Sequence, residues 1–136
     1  MYQHETSIRV RYAETDQMGV VYYGNYSQYY EVGRVEALRA LGLSYKEIEE
    51  KGIIMPVAKM NIKYVLPAKY DDLLRVVTII TEKPDKRITF RCEIYNEQND
   101  LINFGDVTLV FMDIQFKKVI VIPDFIWNRL QTYFTN

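Results

Sequence analysis

The hydrophobic period of this 136-residue chain changes from helical to two after one long segment, and that change limits the folds open to it. From Tyr26 onward, small, apolar or aromatic residues recur at three- and four-residue steps, at Tyr29, Tyr30, Gly33, Ala37, Leu38 and Leu41. This is the spacing of a helix of about four turns. Downstream the period becomes two in four segments, 55–65, 72–83, 87–96 and 101–113, which predicts long antiparallel strands. A further alternating segment, residues 7–12, sets Ile8, Val10 and Tyr12 against Ser7, Arg9 and Arg11 ahead of the helix. One long helix must then be covered by one sheet, an α+β arrangement. The helix carries apolar side chains over a wide arc, so the spacing predicts burial on more than one side and a sheet curved around it.

Punctuation supports these segments. Asn25 with Gln28 three residues later reads as a capping box, and Gly42 supplies the left-handed residue that ends the helix. Ser44 with Glu47 opens a second, short helix that stops at Gly52. Pro84-Asp85-Lys86 and Glu97-Gln98-Asn99-Asp100 have the composition of hairpin loops, and Pro67 marks a break between strands. Pro123 suits the first turn of a C-terminal helix running through Ile126, Trp127 and Leu130. With 49% hydrophobic residues, the length fits one domain over 1–136. Sheet edges in so small a domain need cover, and an isologous interface with a second copy predicts a homodimer at least.

Charge excludes some partners. Seventeen basic and 18 acidic side chains are spread along the chain for a net charge of −1, so no footprint for nucleic acid or an anionic membrane is visible. The single Cys92 cannot form an internal disulfide, and no secretory leader or membrane-spanning run is present, which predicts a soluble protein of the cytoplasm. His4, the only histidine, reads as a surface residue before the first strand. Cys92 reads as a small packed side chain.

Chemistry concentrates between the first strand and the long helix, in residues 12–26. Asp16 lies in a loop shortly before a helix N-terminus, where backbone N–H groups can orient a carboxylate that stays open to substrate. A turn or N-cap carboxylate is the plainer reading of the same residue. Glu14 is the one other carboxylate so placed. Free N–H groups of the first helical turn, with Tyr23 to Tyr26 as donors, can hold the charge that develops on a carbonyl oxygen. Gly19 and Gly24 let the loop approach a ligand closely.

The segment RYAETDQMGVVYYGNYSQYYE, residues 11–31, resembles the signature of 4-hydroxybenzoyl-CoA thioesterase-like hotdog proteins. PAKYDDLLRV, residues 67–76, is similar to a second segment of that family, and Ile122-Pro123-Asp124 resembles its C-terminal ending. The resemblance implies a hotdog fold, an antiparallel five- to six-stranded sheet wrapped around a long central helix. It also implies homodimers or homotetramers with active sites at the dimer interface. The catalytic aspartate of the family falls on Asp16 and the N–H that binds the thioester carbonyl on Tyr23. Many bacterial members have a histidine where this chain has Tyr23, and tyrosine is no base near neutral pH. Members that act on aromatic acyl groups are similar to this chain in having an aromatic residue there.

The expected activity is hydrolysis of an acyl-coenzyme A thioester, with Asp16 either attacking the carbonyl or activating a water. A thiolate leaves without a strong general acid, so no metal or redox cofactor is required. The phosphates of coenzyme A call for a basic site, for which Lys86 and Arg87 are the first candidates, ahead of Lys59, Lys63 and Arg91. Tyr26, Tyr29 and Tyr30 read mainly as core, with pocket lining the alternative. Glu31 reads as a solvated residue, a partner for Arg34 or Arg11, or a polar group near the site. A non-catalytic acyl-thioester binding protein and a thioesterase acting on acyl carrier protein are the competing functions.

Overall fold

The computed structural model describes residues 1–135. In chain order the elements are β1 (Tyr2–Arg9), α1 (Tyr26–Ala40), α2 (Tyr45–Glu50), β2 (Ile53–Ile54), β3 (Val57–Tyr64), β4 (Leu73–Ile80), β5 (Arg87–Tyr95), β6 (Leu101–Asp113), β7 (Lys118–Ile120) and α3 (Asp124–Leu130). The five long strands form one antiparallel sheet in the order β1-β4-β5-β6-β3. The short strands β2 and β7 extend it by pairing with the far end of β6. Alternation selects the inner face: Ile88, Phe90, Cys92 and Ile94 of β5 and Val107, Leu109 and Phe111 of β6 are buried. This face curls around α1, whose Tyr26, Tyr29, Tyr30, Gly33, Arg34, Ala37 and Leu38 are buried. The result is the hotdog arrangement, a half-barrel around one central helix.

Two close approaches make the curl possible. At Gly33, in the middle of α1, a Cβ would stand 2.6 Å from Thr78 Oγ1 and 2.7 Å from Val76 Cγ1, so the helix lies directly on β4. At Gly105 a Cβ would stand 2.0 Å from the Asn61 carbonyl oxygen, so β6 and β3 meet more closely there than any side chain permits. Buried hydroxyls tie the two layers together, with Tyr30 donating to Asn103 Oδ1 and Tyr2 donating to the Ala37 carbonyl at 2.5 Å.

The structure departs from the sequence reading at four points. The first strand begins at Tyr2 and ends at Arg9 rather than spanning 7–12, because Tyr2, His4, Thr6 and Ile8 share its inner side and the polar pair masks the alternation. Tyr12–Glu14 instead form a 3-10 turn. His4 accordingly lies within β1, half-buried, and not ahead of it. Asn25 makes no side-chain cap, since its amide donates to the Glu14 carbonyl and a 3-10 turn, Tyr23–Asn25, leads into α1. β2 and β7 carry too few residues for any period to show. Ser44 does cap α2, accepting from the Glu47 N–H at 3.1 Å, and Gly42 and Gly52 both take positive φ. Among the described residues no helix is long and apolar enough to cross a membrane.

Gly105→Ala is expected to cost on the order of 3 kcal/mol or more, because the opposing atom is backbone and β3 must move away as a unit. Gly33→Ala meets side chains and is expected to cost about 1–2 kcal/mol. Urea titration of both variants checks the order, and a Gly105→Ala protein as stable as wild type would contradict the account of β3.

Candidate active site

The chain leaving β1 is strapped to the segment that leads into β4. Val10 donates to the Asp72 carbonyl at 2.9 Å and accepts from the Asp71 N–H at 3.0 Å. Residues 15–21 then form a small hairpin, with Thr15 bridged to Val21, Val20 bridged to Lys69, and the Val21 N–H donating to the Ala68 carbonyl at 2.8 Å. Asp16 occupies the turn of this hairpin. Its N–H donates to the Val20 carbonyl at 2.9 Å, its carbonyl accepts from the Gly19 N–H at 3.0 Å, and Gly19 closes the turn with φ +78°. Asp16 Oδ1 accepts from the Met18 N–H at 2.8 Å, while Oδ2 has no partner among the described residues. The carboxylate therefore serves the turn with one oxygen and leaves the other open.

From Val21 the chain passes through Tyr22 into the 3-10 turn and then α1. The Asn25 N–H is spent on the Tyr22 carbonyl at 2.9 Å, whereas the N–H groups of Tyr23 and Gly24 have no acceptor among the described residues. These free donors stand where the macrodipole of a 15-residue helix is positive. Beside them opens a groove of about 290 Å³ lined by Val21, Tyr23, Tyr26, Tyr64, Val65, Leu66 and Pro67. The Tyr23 side chain is 64% exposed at its rim, with the Tyr22 ring 4.6 Å away and Tyr64 donating to the Tyr23 carbonyl at 3.3 Å. Tyr26 lies deeper, and burial pushes its phenol up, so it stays protonated.

Glu14 is the ionised group built into this region. Only 7% of it is exposed. Its Oε1 accepts from the Arg11 N–H and the Tyr29 hydroxyl, both at 2.9 Å, and its Oε2 from Arg11 Nε at 3.1 Å and Nη2 at 2.8 Å. Its main-chain carbonyl accepts from the Tyr22 N–H and from Asn25 Nδ2, again at 2.9 Å. Burial raises the carboxyl, but the hydrogen bonds from Arg11 and Tyr29 outweigh it and hold the group below the usual carboxylate range. Tyr29 is pushed up, first by burial and then by Glu14. Sequence reasoning set Glu14 beside Asp16 without a role. Its position two residues before Asp16 and 15 before a helical tyrosine gave no periodic signal.

The remaining candidates lie elsewhere. Lys86 and Arg87 stand at the β4–β5 turn, on a groove of about 350 Å³ shared with Glu82, Lys83, Asp85 and Thr89. The eight residues of β4 separate that turn from the segment strapped to the Asp16 hairpin, about 26 Å at extended-strand rise. Lys59 and Lys63 are exposed on β3, and Arg91 is engaged by Glu93 at 2.9 Å. Glu31 is exposed on α1 and forms no ion pair among the described residues; Arg11 is taken by Glu14, and Arg34 Nε donates to the Tyr45 hydroxyl at 3.2 Å. Cys92 is buried, and burial pushes its thiol up to about 12, which leaves no thiolate for nucleophilic work.

Residues 10–130 match the family described as the thioesterase-like superfamily. The chain is 36% identical over 124 residues to the protein YneP of Bacillus subtilis (strain 168), covering 87% of this chain and 90% of that relative. It is also 36% identical over 106 residues to the acyl-CoA thioester hydrolase YbgC of Escherichia coli O157:H7, covering 78% and 79% of the two chains. The crystal structure of a DHNA-CoA thioesterase from Staphylococcus aureus superposes with a TM-score of 0.89 at 34% identity, covering 97% of this chain and 93% of that one.

Because the carboxyl of Glu14 is held below its unfolded value, its stabilising contribution is complete above about pH 4.3 and is lost as the pH falls through the lower folded value. The stability difference between wild type and Glu14→Gln is therefore expected to shrink from pH 7 to pH 3. Urea midpoints at both pH values measure it, and an undiminished gap at pH 3 would contradict the ionised, bonded carboxylate.

Proposed function

The chain belongs to the thioesterase-like superfamily, and we propose that it hydrolyses an acyl-coenzyme A thioester at the junction of the Asp16 hairpin and the N-terminus of α1. The observation that carries this reading is that a hairpin bearing a carboxylate oxygen without a partner among the described residues, Asp16 Oδ2, runs directly into a turn whose Tyr23 and Gly24 N–H groups are free beside an apolar groove. In the proposed reaction the thioester carbonyl accepts from the Tyr23 N–H, which holds the negative charge as the carbonyl carbon becomes tetrahedral. Asp16 supplies the nucleophile, either its own oxygen, giving an anhydride that water cleaves once the thiolate has left, or a water whose proton it takes. The C–S bond then breaks and the electron pair leaves with the thiolate of coenzyme A. Tyr23 acts through its main chain, so the absence of a histidine there removes nothing from this route. The lining of Tyr23, Tyr26 and Tyr64 suits an aromatic or short acyl group.

Within one protomer Lys86 and Arg87 stand at the far end of β4 from Asp16, and the reading therefore includes a partner. β3 pairs only with β6, so its outer edge is open among the described residues. Antiparallel pairing of two β3 edges about a two-fold axis sets the Val57 end of the partner's strand beside the Tyr64 end of this one, next to the groove. Val57 pairs with Leu109, which pairs with Ile88 beside Arg87. The partner's basic turn would then lie about three strand spacings, roughly 14 Å, from the groove wall, within reach of the phosphates of coenzyme A. Gly19 closes the turn that carries Asp16.

Thiol release from short, long and aromatic acyl-coenzyme A substrates, followed with a thiol-reactive dye, tests the chemistry. Asp16→Asn is expected to lose roughly 10²-fold or more in turnover. Binding without release by wild type would favour a binding protein, and a fully active Asp16→Asn would end the assignment.

Mixed dimers test the partition between protomers. Asp16→Asn chains and Lys86→Glu/Arg87→Glu chains are each expected to be poor as homodimers, the second through a raised KM. Co-assembled, they form one site with both wild-type elements, and about half of the activity should return. No recovery would mean that the basic turn does not act across the interface.

A further inference from the structure

We propose that Glu14 is a positioning residue of this site, a clasp that sets the distance between the Asp16 carboxylate and the free N–H groups at the head of α1. The inference rests on the proposed hydrolysis and deepens it.

The two halves of the site are joined in the chain only through Tyr22 and share no hydrogen bond with each other among the described residues: Asp16 belongs to a hairpin strapped to residues 68–72, and the Tyr23 N–H belongs to the turn that opens α1. Glu14 touches both. Through Thr15 it is two residues from Asp16. Through its carbonyl it holds the Tyr22 N–H, one residue from Tyr23, and the Asn25 side chain, which ends the same 3-10 turn. Through its carboxylate it is bonded to Tyr29, one turn into α1 and 2% exposed, and to Arg11 at the exit of β1. Glu14 thus accepts six hydrogen bonds, three from Arg11 at the exit of β1 and three from Tyr22, Asn25 and Tyr29 at the head of α1.

The chemistry requires an acceptor at every contact. Oε1 faces the Arg11 N–H and the Tyr29 hydroxyl, and Oε2 faces the Arg11 guanidinium. A glutamine in either orientation turns an NH2 toward a donor. The side chain opposite is mostly in solvent, with 77% of Arg11 exposed, so a surface ion pair alone would contribute little. The buried contact to Tyr29 is what anchors the loop to the helix. A base and an oxyanion donor displaced by about 1 Å lose on the order of 10²-fold in rate without a comparable loss of binding, and this is the signature of a positioning residue.

The test compares wild type, Glu14→Gln, Tyr29→Phe, Asp16→Asn and the Glu14→Gln/Asp16→Asn double variant, in thiol release and in deuterium uptake of the peptides covering residues 15–25. Glu14→Gln is expected to lower kcat roughly ten- to a hundredfold with KM within about twofold of wild type, and Tyr29→Phe to lower it less. In the Asp16→Asn background the Glu14 substitution should remove little more, since both act on one arrangement. Deuterium uptake should rise in residues 15–25 and remain unchanged in β4, β5 and β6. Wild-type kcat in Glu14→Gln, a rise in KM alone, or losses that multiply in the double variant would overturn the proposal. If wild type releases no thiol from any substrate, the proposed hydrolysis fails and exchange alone decides. Faster exchange confined to 15–25 would keep the clasp as the device that couples hairpin and helix, and exchange that is unchanged, or faster throughout the sheet, would refute it.

Discussion

The hydroxyls of a tyrosine-rich helix constrain this structure more than any other group. α1 must bury Tyr26, Tyr29 and Tyr30 to fill the curl of the sheet, and each brings a polar oxygen that is costly to leave unpaired away from water. Each finds a different layer. Tyr30 donates to Asn103 on β6, Tyr26 accepts from the Ala68 N–H on the segment before β4, and Tyr29 donates to Glu14 in the loop after β1. The apolar rings drive burial, and the hydroxyls decide where along the sheet and against which loop the helix comes to rest.

This arrangement links the core to the chemistry. The loop bearing Asp16 is held by main-chain bonds to residues 68–72, by Glu14, and by Val21, which is buried in the core. Asn25 reaches back to the Glu14 carbonyl instead of capping the first turn, and so ties the helix head to that loop. The missing cap is a cost to helix stability that the tyrosine contacts offset, a division often found where a fold departs from local preference at a functional position.

The protomer also has an unfinished edge. β3 is exposed along most of its length, and only its bonding to β6 holds it, at a point where Gly105 allows unusually close approach. The aromatic groove ends against the same strand at Tyr64. In the proposed two-protomer site, a second copy continues the sheet from this edge and brings its basic turn toward the groove.

Much of this was legible in the chain. The change of period from helical to two located α1 and the four later strands, because a side chain's direction repeats with fixed geometry in each element. Gly42, Gly52 and Ser44 announced their turns, since positive φ and hydroxyl capping belong to few residue types. The residues 11–31 directed attention to Asp16 and Tyr23 through their resemblance to a family. What only the tertiary structure decided is which partners the polar side chains took. Asn25 looked like a cap and became a strut; Glu14 looked like a neighbour of Asp16 and became the point where loop and helix meet; Lys86 and Arg87 proved to stand at the opposite end of the sheet from the Asp16 hairpin. Periodicity reports which way a side chain points, whereas a hydrogen bond between residues 14 and 29, or a separation along the length of β4, depends on how the layers pack, and no local pattern encodes that.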